Sequence, residues 1–145
     1  MAGFKLVKED TDPVYKKLRI DGQAYTIGDL VMVDTTSNAV DVVPATSSTT
    51  TFGVYAVAME TVASTATEAL FCLVTDGQVW EVDSVNNSNV NHNMQKMLLN
   101  DKDSVNNTGT NNTTKEAVFM QTGTVGTAAS KKLVGNILKV ANVTA

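Results

Sequence analysis

The chain has 145 residues, 43% of them hydrophobic, and a formal net charge of −4. That length suits one domain able to bury roughly two-thirds of the surface its unfolded form exposes, and a single cysteine excludes an internal disulfide framework. An acidic chain with no apolar stretch near the ~20 residues of a membrane helix and no signal core in MAGFKLVKED is expected to be soluble, made in the cytoplasm, and to bind neither nucleic acid nor membrane.

Residues 1–13 set Phe4, Leu6 and Val7 among charges without turn chemistry to fold them back, and read as an extended arm. Residues 14–145 then form one β-rich domain. From Val14 to Ile20 the chain alternates, with Tyr15, Lys17 and Arg19 on one side, as in a partly exposed or edge strand. Asp21-Gly22 and Gly28-Asp29 lead into Leu30–Val33, a β-branched run that favours a strand. Thr35–Asn38 supplies a turn, and Ala39–Val43 completes a hairpin stopped by Pro44. After a polar spacer, Phe52–Met59 alternates small residues with Val, Tyr and Met, as in a strand packed on both faces.

Past a Thr/Ser/Ala-rich connection, Ala69–Val74 and Gln78–Val82 flank Asp76-Gly77, the favoured pair for a two-residue hairpin turn. The Asn-rich run 84–93 is too polar for a strand core and reads as a loop, as does 100–114, with a short apolar piece, Met94–Leu99, between them. Glu116–Gln121 and Lys132–Val140 read as closing strands, the latter with Gly135 as a candidate bulge. No internal repeat stands out at solenoid periods. Eight to ten short strands without an amphipathic helix make the chain all-β, a compact barrel or sandwich. Its expected core includes Leu70, Cys72, Val74, Val79 or Trp80, Val54, Val57 and Phe119.

Chemistry-bearing motifs are scarce. The one histidine, His92, lies in the Asn-rich loop, away from any nucleophile or ligand pattern. Asp101–Asn106 begins like a calcium loop but has Val105 where an oxygen ligand belongs, leaving at most a weak cation site. No catalytic residue, metal or cofactor is therefore expected. Charge is instead segregated: the first 20 residues sum to +2, residues 21–95 carry nine acids and no Lys or Arg, and the remainder sums to +3.

The arm, VYKKLRI, DGQAYTIGDLVMVD, the spacer before FGVYAVAME, EALFCLVTDGQVWEVD and AVFMQTGTVGTAASKKLVGNIL, in that order, resemble the pattern of tailed-phage capsid decoration proteins, also called head-stabilising or cement proteins. The resemblance implies a non-enzymatic virion protein on the outer capsid surface, bridging subunits of the major capsid protein and associating with itself, most often as a trimer. Phe4, Lys5, Leu6, Val7, Lys8, Tyr15, Lys17 and Arg19 are the expected capsid contacts, with the Asn-rich loops facing solvent or a neighbouring copy. If the arm is the anchor, deleting residues 1–12 removes capsid binding and leaves the unfolding of the domain nearly unchanged. Alternatives are another virion part (head fibre base, tail or baseplate), a carbohydrate-binding module using Trp80 or the tyrosines, and a small hydrolase; an exposed row of aromatics would favour the second and a buried Trp80 would count against it.

Overall fold

A computed structural model describes residues 3–8, 13–20, 22–33, 39–42, 54–75, 77–107, 119–125 and 130–138. Eleven strands account for nearly all the regular structure there: β1 Lys5–Lys8, β2 Tyr15–Ile20, β3 Leu30–Val33, β4 Ala39–Val42, β5 Val54–Ala58, β6 Glu68–Leu73, β7 Val79–Ser84, β8 Lys96–Asp101, β9 Ser104–Asn106, β10 Phe119–Thr124 and β11 Lys132–Ile137. The chain is all-β, as its short alternating runs require. Among the described residues the one helical element is a 3-10 turn at Val90–His92, and no helix is long and apolar enough to cross a membrane.

The strands make two barrels with the same topology. In the first, β2 pairs antiparallel with β6, β6 with β5, β5 with β3 and β3 with β4, and a parallel β4–β2 contact closes the ring. In the second, β7 pairs with β11, β11 with β10, β10 with β8 and β8 with β9, and a parallel β9–β7 contact again closes it. The correspondence reaches single bonds. Ile20 N–H donates to the Thr67 carbonyl and Ser84 N–H to that of Lys131; Gly28 N–H donates to Ala58 and Met94 N–H to Gln121. The cross-strand pair Arg19–Glu68 has its counterpart in Asp83–Lys132, with the charges exchanged.

Strand alternation sorts the side chains. Ile20, Val31, Ala56, Ala58, Ala69 and Phe71 pack together within the first barrel. On the opposite faces of the same strands, Leu30, Tyr55, Val57 and Cys72 join Val82, Met97, Leu99, Phe119 and Leu133 of the second barrel in one apolar cluster. Both faces of β5 are thus covered, as its sequence implies. A backbone bond from Leu30 N–H to the Lys102 carbonyl, 2.8 Å, ties the β8–β9 turn to the start of β3. Of the expected core, Cys72, Val74, Val57, Trp80 and Phe119 are buried, whereas Leu70 and Val79 are half-buried. The side chain of Val54 lies outside the described set, as do residues 34–38 of the first hairpin's turn, 108–118, and the end of the last predicted strand.

Two expectations need correction. The runs flanking Asp76-Gly77 do not form a hairpin with each other: β6 belongs to the first barrel and β7 to the second. A strand has two edges, and those of β6 are taken by β2 and β5, those of β7 by β11 on one side and by β1 and β9 on the other. The connection is a corner held by one buried side chain. Gln78 Oε1 accepts from Thr75 N–H at 2.8 Å and from Trp80 Nε1 at 3.2 Å, and its Nε2 donates to the Leu73 carbonyl at 3.4 Å. Gln78→Ala strips the buried Trp80 indole and the Thr75 amide of their acceptor and is expected to cost about 1–3 kcal/mol in urea unfolding.

The second correction concerns 100–114. Its first part is not loop but the end of β8 and the whole of β9, joined by a tight turn at Lys102-Asp103. The calcium-like sequence is this hairpin, and among the described residues no group of three or more His, Cys, Asp or Glu is placed to hold a metal. The run 84–93 is a loop, but one pinned by side-chain hydrogen bonds, most of them from Asn107 and Gln121 outside it. Asn107 Oδ1 accepts from Asn86 N–H, Asn107 Nδ2 donates to the Asn86 carbonyl, Asn89 caps the 3-10 turn, and Gln121 Nε2 donates to Asn89 and Asn93. Asparagine suits this role because its amide both donates and accepts, satisfying backbone groups that no ladder reaches.

Candidate functional site

The N-terminal residues are a strand of the second barrel rather than a free arm. β1 lies antiparallel on β7, with Lys5 opposite Glu81 and Leu6 opposite Trp80, and a bulge before Lys8 leaves Val7 and Lys8 exposed. Two glycines let the chain reach this place. Gly3 (φ +101°) and Gly28 (φ +97°) lie back to back, so close that a Cβ on Gly3 would stand 2.8 Å from the Gly28 Cα. Phe4 N–H then donates to the Gly28 carbonyl at 2.8 Å, and the Phe4 ring enters the core with its centroid 6.1 Å from that of Phe119. Phe4 is 4% exposed, so it is an internal residue and not one a partner can cover.

Between this strand, the start of β2 and the Ile27-Gly28 corner runs a cleft of 290 Å³, lined mainly by Phe4, Lys5, Leu6, Pro13, Tyr15, Met59 and Trp80. Four of the eight residues expected to make contacts, Phe4, Lys5, Leu6 and Tyr15, meet there. Val7 and Lys8 lie further along β1, and Lys17 and Arg19 further along β2, all exposed. The large apolar side chains most exposed on these two strands are Val7, 46% exposed, and Tyr15, 47% exposed. Of the basic residues of the N-terminal segment, Lys5 lines the cleft, while Lys8 is exposed on β1 and Lys16, Lys17 and Arg19 are exposed on β2. Lys17 is 4.0 Å from Glu68 with both side chains largely in water, a contact worth under ~1 kcal/mol. The cleft walls at Met59 and Trp80 are far in sequence from residues 4–19, while Ile27 follows soon after β2; the positive-φ Gly28 is the one local signal of them.

A second concavity, 370 Å³, opens at the Asn-rich loop, lined by Asn87, Ser88, Asn89, Val90 and Thr124. Val85, Val90 and Met94 are exposed on this loop, and Met94 holds a positive φ of 71° at the place corresponding to Gly28 in the first barrel. No aromatic platform exists among the described residues: Trp80, Tyr25 and Tyr55 are buried, leaving Tyr15 alone at the surface. Burial of Trp80 counts against the carbohydrate-binding reading. No protein-family model, curated protein or solved structure matches the chain.

Proposed function

We propose that the protein is a structural decoration protein of a tailed-phage head, binding the major capsid protein on the outer surface of the assembled shell and associating with itself there, as a trimer. The observation that carries this reading is the cleft at β1 and β2, where Lys5, Leu6 and Tyr15, three of the contact residues named from the sequence, meet, with Val7 and Lys8 exposed further along β1 and Lys17 and Arg19 further along β2. Such a surface performs no chemistry; it offers a partner apolar area, unlike charge and strand edges. The exposed Val85, Val90 and Met94 at the Asn-rich loop between β7 and β8 supply a second adhesive area, which supports contact between copies. Binding the expanded shell and not the loosened one stabilises it by mass action, about 2.7 kcal/mol per site at a free concentration one hundred times Kd.

The test is sedimentation and imaging of heads incubated with purified protein. Full-length protein is expected to decorate expanded heads and raise the temperature at which they open. The double substitution Val7→Ser with Tyr15→Ala changes two half-exposed side chains, so its unfolding free energy should move by less than about 1 kcal/mol. Its affinity for heads should fall about tenfold or more, equivalent to about 1.4 kcal/mol. Full binding by this variant would move the capsid contact elsewhere, and failure of the parent protein to bind heads at any stage would overturn the reading.

A further inference from the structure

The two barrels differ in one respect that the shared topology brings out. On β7 the parallel contact with β9 reaches only Asp83 and Ser84, and β1 occupies the rest of that edge, with Lys5 opposite Glu81. On β2 the parallel contact with β4 likewise reaches only Arg19 and Ile20. Among the described residues, no strand continues along that edge past Arg19. The backbone of Lys17 faces it: Ile20 N–H and the Val14 carbonyl both bond toward the β6 side, so the odd-numbered residues of β2 direct their amides and carbonyls the other way. Lys17 stands where Glu81 stands on β7, and its side chain is largely in water, with its Nζ 4.0 Å from Glu68.

We propose that this edge of β2, centred on Lys17, takes up an extended acidic segment of a partner polypeptide by strand addition, as β7 takes up β1 within the chain. The occupant's chemistry follows from the exchange of charges between the barrels. Where the second has Glu81, Asp83 and Lys132, the first has Lys17, Arg19 and Glu68. The basic β1 complements Glu81; the strand that complements Lys17 carries an acid in the place of Lys5 and an apolar residue in that of Leu6. Main-chain bonds would supply affinity and the charge its selectivity. β1 itself is excluded, being engaged on β7 and of like charge. The proposal holds whether or not the partner is a capsid protein.

The experiment uses the full chain and two synthetic peptides in NMR titrations. One has the sequence of residues 3–8; the other is the same with glutamate at both lysines. The acidic peptide is expected to shift the amide resonances of residues 15–17, slow hydrogen exchange at the Lys17 amide, and bind about threefold or more tighter than the lysine peptide at low salt. Lys17→Glu should reverse that preference, and Lys17→Gln should weaken it while leaving thermal unfolding in place. The proposal is overturned if neither peptide perturbs residues 15–17. It is equally overturned if both peptides bind alike to all three proteins, or if the Lys17 amide is already protected without peptide, which would mean that the chain covers this edge itself.

Discussion

Deleting residues 1–8 is expected to lower the unfolding free energy by about 3–5 kcal/mol, the cost of removing a buried phenylalanine from a core, and the midpoint by about 10–15 °C for a chain of this size. The sequence alone leads to the opposite expectation, a dispensable arm. What reverses it is that Phe4 packs on Phe119 in the second barrel while its amide bonds to Gly28 in the first, so the strand joins both barrels. The truncation also uncovers Trp80, which is 1% exposed with β1 in place. Phe4→Ala in the full chain should reproduce most of the loss, because β1 keeps its ladder with β7, whereas Val7→Ser should be nearly silent. Urea unfolding followed by Trp80 fluorescence measures all three. An unchanged midpoint in the truncated chain would show that β1 does not hold its place on β7 in solution.

Gly135→Ala is expected to cost about 3 kcal/mol, the upper part of the usual range for overpacking. Gly135 is buried in β11 between Gln121 of β10 and Trp80 of β7. A Cβ there would lie 2.7 Å from Phe119 Cε2 and closer still to the Met120 carbonyl oxygen. Neither neighbour has room to withdraw, since Phe119 is fully buried and the carbonyl belongs to the ladder. Combining the change with Phe119→Leu should recover only the ring's share, on the order of 1 kcal/mol of coupling in a double-mutant cycle, because the clash with the carbonyl remains. Glycine was expected here as a bulge. The bulge lies instead on the partner strand, between Gln121 and Gly123, and Gly135 is the space that the Phe119 ring needs.

What could be read from the chain was local. The β3–β4 hairpin, the return of β5 and the covering of both its faces were legible because each rests on neighbouring residues: a turn-forming run, β-branched alternation, small residues at alternate positions. The place of the turn at Gly77 was legible too, with its φ of +85°. The pairing on either side of it was not, because a strand's partners depend on which edges other strands have already taken. The residues expected to make contacts follow the same rule: their places along the first strands could be read from the chain, but not that Phe4 is withdrawn into the core.

The duplication of the barrel shows most clearly where sequence stops. Composition and periodicity determined that the chain is all-β, with short strands, acidic through the middle and basic at its start. They left the repeat unmarked, because at several equivalent positions the residues differ in size or in the sign of their charge. Ala56 and Phe71 in the first barrel answer to Phe119 and Gly135 in the second, and Arg19–Glu68 to Asp83–Lys132. Packing constrains the volume shared by facing side chains, and an ion pair constrains the product of two charges; neither fixes which strand carries which member. Only the closed ladders, in which both members of each pair are brought together, decided that the two halves are the same structure.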